Sequence, residues 1–322
     1  METAAQQAMA WAQAGRPCAL ATVIETWGSA PQPVGSQLAV DHEGNFAGSV
    51  SGGCVEGAVI TEAQEVMASG AARVVDFGVA DETAWKVGLA CGGRIRILVE
   101  KVTAERLALL AAVEQAVAAR RAVAVATDLA SGTTRLVPEQ GADAEVGAAL
   151  RAGRSRLVEQ QFIAVHVPQP RLIITGAVHI AQHLAGLARG VGFAVAVIDP
   201  RGAFATVARF PADALHEGWP EEVLPQLGLD ACTALAALTH DPKIDDPALM
   251  AALASEAFYI GALGSRRTHG QRLARLSSRG VDEAALARIR APIGLAIGAE
   301  GAAEIALAIM AEIIAALRRA TP

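Results

Sequence analysis

The sequence predicts an α/β protein of two domains, residues 1–167 and 168–322, the second built on a doubly wound parallel sheet. Three observations predict it. The chain has 322 residues, and domains usually take roughly 100–200 each. The stretch Val167-Pro168-Gln169-Pro170 carries two prolines and no apolar period, the mark of a stiff, extended connection. After it the pattern becomes a regular alternation of short apolar runs and amphipathic helices, which specifies parallel strands with helices on both faces. Hydrophobic residues make up 52% of the chain and aromatics only 4%, so the cores are built from Ala, Val, Ile and Leu.

In the first domain, residues 3–14 read as a short helix and CALATVIE (18–25) as a strand. GSAPQPVGS (28–36) is a loop by its Gly, Pro and Ser content. Residues 37–40 and 46–48 form a hairpin turning at His42-Glu43-Gly44-Asn45. SVSGGCVEG (49–57) leads into an apolar-periodic helix over 55–67. Residues 73–77 are a strand, LACGG (89–93) a tight loop into a strand at 94–99, and 102–120 a helix. Between 122 and 168 the runs AVAVATDL, TTRLV and FIAVHV are strands, expected to extend the first domain's sheet.

In the second domain, strand 171–175, helix 178–189 and strand 193–198 form a βαβ unit of the usual length. Strand 234–238, helix 247–255, strand 258–262 and helix 265–278 continue the alternation, and a long helix over 302–319 closes it.

Composition excludes several classes. The net charge is −6 and no long Lys or Arg run occurs, which argues against nucleic acid as a partner. The start, Met1-Glu2-Thr3-Ala4, lacks both a positive segment and an apolar one, so no secretory signal is expected. The most apolar helix candidate, 302–317, contains Glu304 and Glu312 and is short for a bilayer span. A cytoplasmic protein without a membrane partner is the expectation. Cys18, Cys54, Cys91 and Cys232 should then be reduced thiols. None belongs to a CxxC pair, so no structural zinc or other metal site is expected.

Five segments could carry chemistry. In SVSGGCVEG, Ser51, Gly52 and Gly53 can form an anion-binding nest ahead of a helix N-terminus. Cys54 would sit there with its thiolate favoured. That suits a persulfide carrier, a metal-thiolate ligand or a phosphate clamp; equally, the glycines make a turn and Cys54 packs as a small apolar residue. In LACGG, Cys91 abuts Gly92 and Gly93, and the mirror-image pair of loops suggests two backbone-rich segments facing one ligand. The turn Gly176-Ala177-Val178-His179-Ile180-Ala181 approximates G-x-G-x-x-G/A, the Rossmann fingerprint, with Asp199 where a ribose-binding acid is expected. Val178 replaces the second Gly and would crowd a pyrophosphate. His179 shares a helix face with His183 and lies at the sheet end where ligands bind in such folds. Thr239-His240-Asp241 runs out of a strand at the same edge, as a polar binding trio or as a loop cap. Finally, Gly264-Ser265-Arg266-Arg267 opens a helix with two cations opposing its dipole, which a bound phosphate would explain.

Taken in order, GSAPQPVGSQLAV, GSVSGGCVEGAV, ACGG, GAVHIA followed by VIDPR and RFP, THDPKID, YIGALGSRR, APIGLAIGAE and EIALAIMAEI resemble the XdhC/CoxI family over nearly the whole chain. The resemblance implies an N-terminal XdhC/CoxI-type domain and a C-terminal Rossmann-like domain. It implies transient binding of molybdenum cofactor (molybdopterin), its protection during exchange of an oxo for a sulfido ligand, and delivery to an apo molybdenum hydroxylase such as xanthine dehydrogenase. A cysteine desulfurase would supply the sulfur, cofactor-synthesis enzymes would hand over the cargo, and the protein would be a homodimer. Two positions depart from the family pattern. Val178 stands where Gly is usual, and Ala296 where an acidic residue is usual.

Two other readings compete. A Rossmann-type NAD(P)-dependent oxidoreductase would use His179, Asp199 and His240, against which Val178 argues. A purely structural partner of a dehydrogenase would leave the cysteines inert.

Overall fold

The computed structural model describes residues 3–28, 30, 32–78 and 93–320. The chain divides into two compact units, Met1–Val167 and Pro168–Pro322.

The first unit opens with α1 (Ala4–Gln13). Thr3 caps it, and Gln6 reaches back to the Thr3 N–H at 2.9 Å. This reciprocal box satisfies two backbone donors that helix geometry leaves unpaired. Strands β1 (Cys18–Trp27), β2 (Gln37–Asp41) and β3 (Phe46–Gly48) follow, then α2 (Glu56–Ser69), β4 (Arg73–Phe77), β5 (Arg94–Lys101) and α3 (Ala104–Ala118). Among the described residues these strands make one antiparallel sheet in the order β3-β2-β1-β5-β4. The run CALATVI is apolar throughout because both faces of β1 are covered. Ala19, Ala21 and Val23 pack under α2 with Val59, Ala63 and Val66. Cys18 and Leu20 pack on the other face with Ala8, Trp11 and Leu110.

The segment expected to lengthen this sheet forms its own. Strands β6 (Val123–Asp128), β7 (Thr134–Pro138), β8 (Arg156–Val158) and β9 (Gln161–His166) pair antiparallel in the order β7-β6-β9-β8, with α4 (Ala144–Ala152) inserted between β7 and β8. The reason lies in β6. Its Val123 and Val125 meet Val113 and Ala116 of α3, while Ala124 and Ala126 meet Val146, Ala149 and Leu150 of α4. A strand with an apolar residue on each face needs two covering helices, and a separate sheet lying between α3 and α4 supplies both.

The second unit contains β10 (Arg171–Thr175), α5 (His179–Gly190), β11 (Ala194–Ile198), β12 (Leu215–His216), α6 (Pro220–Leu227), β13 (Thr233–Ala237), α7 (Pro242–Leu253), β14 (Tyr259–Ala262), α8 (Arg266–Ser278), α9 (Glu283–Leu286), β15 (Ile289–Arg290) and α10 (Gly301–Ala320). All its strand pairs are parallel, in the order β12-β11-β10-β13-β14-β15. Strand order therefore reverses between β10 and β13, the switch point of a doubly wound fold. Leu172 and Ile174 face α5 and α10, whose Leu184, Ala188, Ile309 and Ile313 complete that core. Ile173 faces the opposite layer with Leu235, Leu249 and Leu276. The βαβ unit expected over 171–198 is present, and α8 and α10 lie within one residue of their expected limits at each end.

Candidate functional site

In the first unit the glycine turn before α2 is a nest, and the anion inside it is the protein's own. Glu56 is 7% exposed. Its Oε1 accepts Ser49 Oγ at 2.8 Å, Ser51 N–H at 3.0 Å and Val50 N–H at 3.3 Å. Its Oε2 accepts Gly53 N–H at 2.9 Å and the Ser51 hydroxyl. The remaining loop N–H groups are also spent: Gly52 donates to Ser49 Oγ at 2.8 Å, and Cys54 and Val55 each donate to Ser51 Oγ at 3.0 Å. Burial by itself would raise the Glu56 carboxyl, but the Ser51 and Ser49 hydroxyls and the loop N–H groups outweigh it and hold it at about 2. Gly52 (φ 75°) and Gly53 (φ 113°) take the left-handed conformations that let the backbone wrap the carboxylate. Val50 and Val55, both fully buried, pin the loop to the sheet.

This differs from the expectation that Ser51, Gly52 and Gly53 would form a nest for an external anion ahead of the helix. A carboxylate on the first residue of a helix, just after such a turn, needs no translational entropy to enter it, so an external anion has no vacant donor among residues 50–55. What remains outward is Cys54, which is exposed. Cys91 and Gly92 fall outside the described residues; Gly93 directly precedes β5. Cys18 is buried, donates to Ala8 O at 3.3 Å, and has its thiol pushed up to about 11 by burial and by Asp41. Cys232 is half-buried just before β13.

In the second unit the expected residues collect at the carboxyl edge of the sheet. Gly176 (φ 103°) begins the β10–α5 turn, where a Cβ would lie 2.4 Å from Thr239 Cγ2, so the turns after β10 and β13 touch across the switch point. Asp199 is fully buried and already committed. It accepts Ala177 N–H at 2.7 Å and grips Arg201 through Nε at 2.8 Å and Nη2 at 2.7 Å. Burial opposes its charge, but the Arg201 hydrogen bonds win and keep its carboxyl below the ordinary value. A ribose diol would have to displace Arg201. His179 and His183 are exposed and stack edge to face at 4.9 Å on the surface of α5. Among the described residues no group of three or more His, Cys, Asp or Glu could hold a metal ion, and no helix is long and apolar enough to cross a membrane.

His240 is exposed, with φ 64°, and Asp241 caps α7 through Lys243 N–H at 2.9 Å. Ser265 caps α8 through Thr268 N–H at 3.2 Å, leaving Arg266 and Arg267 exposed on its first turn. Sequence reasoning missed the groups that hold these turns. Asp245 accepts Thr239 Oγ1 at 2.7 Å and His240 N–H at 3.0 Å. Asp246, fully buried, forms a two-point pair with Arg275 at 2.8 and 3.0 Å. Arg272 is 2% exposed beneath both turns. The signal available was the adjacent acids of KIDD on an otherwise apolar helix face.

The chain thus joins an antiparallel α/β unit, bearing an outward cysteine on a self-filled glycine turn, to a Rossmann-like unit whose ribose acid is engaged by Arg201. Comparison with known proteins gives the family. The XdhC and CoxI family matches residues 11–78, and the XdhC Rossmann domain matches residues 172–313. A molybdenum cofactor insertion chaperone, PaoD, of Escherichia coli (strain K12) is 33% identical over 302 residues, covering 93% of this chain and 83% of the relative. A probable xanthine dehydrogenase subunit of Bacillus subtilis (strain 168) is 30% identical, covering 93% of each. A crystal structure described as a xanthine dehydrogenase from Bacillus halodurans superposes with a TM-score of 0.76 at 26% identity, covering 98% of this chain and 96% of that one. The chain belongs to the XdhC/CoxI family.

Proposed function

We propose that this protein is a molybdenum cofactor chaperone: it binds molybdopterin-based cofactor as transient cargo and delivers it to an apo molybdenum hydroxylase of the xanthine dehydrogenase type. The likeness to a cofactor insertion chaperone along 93% of the chain supports the reading. The observation that carries it in the structure is Cys54, a soft sulfur ligand held outward on a turn whose backbone donors are all satisfied internally. A group so placed suits a thiophilic metal centre. In the second unit, Ser265, Arg266, Arg267 and His240 suit an anionic group.

The finer steps belong to the same reading. The cofactor is sheltered while a sulfido ligand replaces an oxo ligand, a cysteine desulfurase supplies the sulfur, and cofactor-synthesis enzymes load the carrier. A cytoplasmic homodimer completes the picture suggested by the resemblance. Asp199, engaged by Arg201, gives no support to a nicotinamide-dependent oxidoreductase.

The test is to purify the protein from cells with intact cofactor synthesis and oxidise what it releases. Pterin fluorescence in stoichiometric amount is expected; protein free of pterin but carrying nicotinamide would refute the proposal.

A further inference from the structure

Arg272 is a buried cation with too few partners. Its Nη2 donates to Leu263 O at 2.8 Å and lies 4.0 Å from Asp245 Oδ2. Its Nε and Nη1 are buried and meet no acceptor among the described residues. Burying a guanidinium this way is costly unless it serves something else. Its direction indicates what. From its place in α8 the side chain runs back along the helix to the carbonyl of Leu263, the residue that leads into the Gly264-Ser265 turn at that helix's own N-terminus.

The other half of the ion pair leads to the neighbouring turn. Asp245 accepts Thr239 Oγ1 and His240 N–H, and so holds His240 at φ 64°, a conformation uncommon outside glycine. The His240 ring then stands beside Gly264, where an added Cβ would lie 3.7 Å from His240 Nδ1. The two turns are therefore adjacent on the surface and tied together from below by one buried pair.

We propose that the turns after β13 and β14 form a single site for a phosphate or pyrophosphate group. His240 contacts it from one side and the first-turn N–H groups of α8, with Arg266 and Arg267, from the other. The Asp245–Arg272 pair is the strut that positions both. A helix N-terminus supplies backbone donors and a positive dipole end, and the imidazole adds a donor that the helix alone lacks. The proposal deepens the reading of this unit as a binder of an anionic group, and it can be tested separately from the cofactor reading.

The experiment is calorimetric titration of the full chain with pyrophosphate, alongside a melting curve for each variant. His240→Gly relieves the left-handed conformation, so its melting temperature should hold or rise, while pyrophosphate affinity should fall about tenfold or more. A turn residue with no ligand role would gain stability and leave the affinity unchanged; that result overturns the proposal. So does a wild-type chain that binds no pyrophosphate. Arg272→Lys keeps a cation but not the fork, and should weaken pyrophosphate similarly; should it fail to fold, His240→Gly decides. Pyrophosphate binding without any releasable pterin would refute the cofactor reading and sustain this one. Pterin retained by a His240→Gly variant with undiminished pyrophosphate affinity would do the reverse.

Discussion

Glu56 fills the nest that presents Cys54: its carboxylate takes the Gly53 N–H at 2.9 Å, one residue before the cysteine, while Ser51 Oγ takes the Cys54 N–H at 3.0 Å. The thiol's position is thus set by a carboxylate that never touches it.

The first prediction concerns that carboxylate. Glu56→Gln should cost roughly 1.5–3 kcal/mol at neutral pH, the range for hydrogen bonds to a charged group. The Glu56 pKa is depressed to about 2 in the fold, so its contribution is present above the unfolded value near about 4.3 and is lost as pH falls through about 2. Urea melts of the wild type and Glu56→Gln should therefore differ most at neutral pH and converge between pH 4 and 2. A gap that stays constant with pH would contradict the assignment.

Thiol reactivity separates the cysteines. Native protein should show fast labelling of Cys54, which Cys54→Ala abolishes, whereas Cys18, buried and shifted up to about 11, should react only on unfolding. Co-expressed with a client hydroxylase, Cys54→Ala should fold normally yet fail to retain cofactor or to support client activity and cyanide-releasable sulfur. Cys18→Ala and Cys232→Ala should support both. Full client activity with Cys54→Ala would remove the cysteine from the mechanism.

Nicotinamide dinucleotide should bind weakly or not at all. Val178 stands where a dinucleotide-binding turn needs a glycine, and the Asp199 carboxylate is engaged by Arg201 and Ala177 N–H. Micromolar affinity by calorimetry would contradict this. Arg201→Ala, which releases Asp199, should be the substitution that improves it.

Removing both cations of the α8 turn, Arg266→Ala with Arg267→Ala, should leave the melting temperature within a few degrees, since both side chains are exposed and oppose the helix dipole. Cofactor affinity should fall about tenfold, and the fall should shrink as salt is raised. Unchanged affinity would mean the pair is merely solvated.

The elements were legible because their signals are local. The Gly264-Ser265 turn marks the start of α8, and the proline pair at 168 and 170 marks the change of pattern where the chain divides. The segment 122–168 was legible as strands but not as a separate sheet. AVAVAT suits any strand covered on both faces, and only the positions of α3 and α4 decide which sheet it joins.

The sequence by itself determined the principal strands and helices, the doubly wound character of the second unit, and where its glycine-rich and polar loops fall, but not α4, β12, α6, α9 or β15. Each follows from neighbours a few residues apart, where side-chain periodicity and turn residues act directly on the backbone. The tertiary structure alone decided where the charges in those loops go. It turned Glu56 into its own turn, engaged Asp199 with Arg201, and set Arg272 between Leu263 and Asp245. The physical reason is desolvation. A buried ion must be met by whichever dipoles folding brings to it, and that set exists only once elements distant in the chain have packed together.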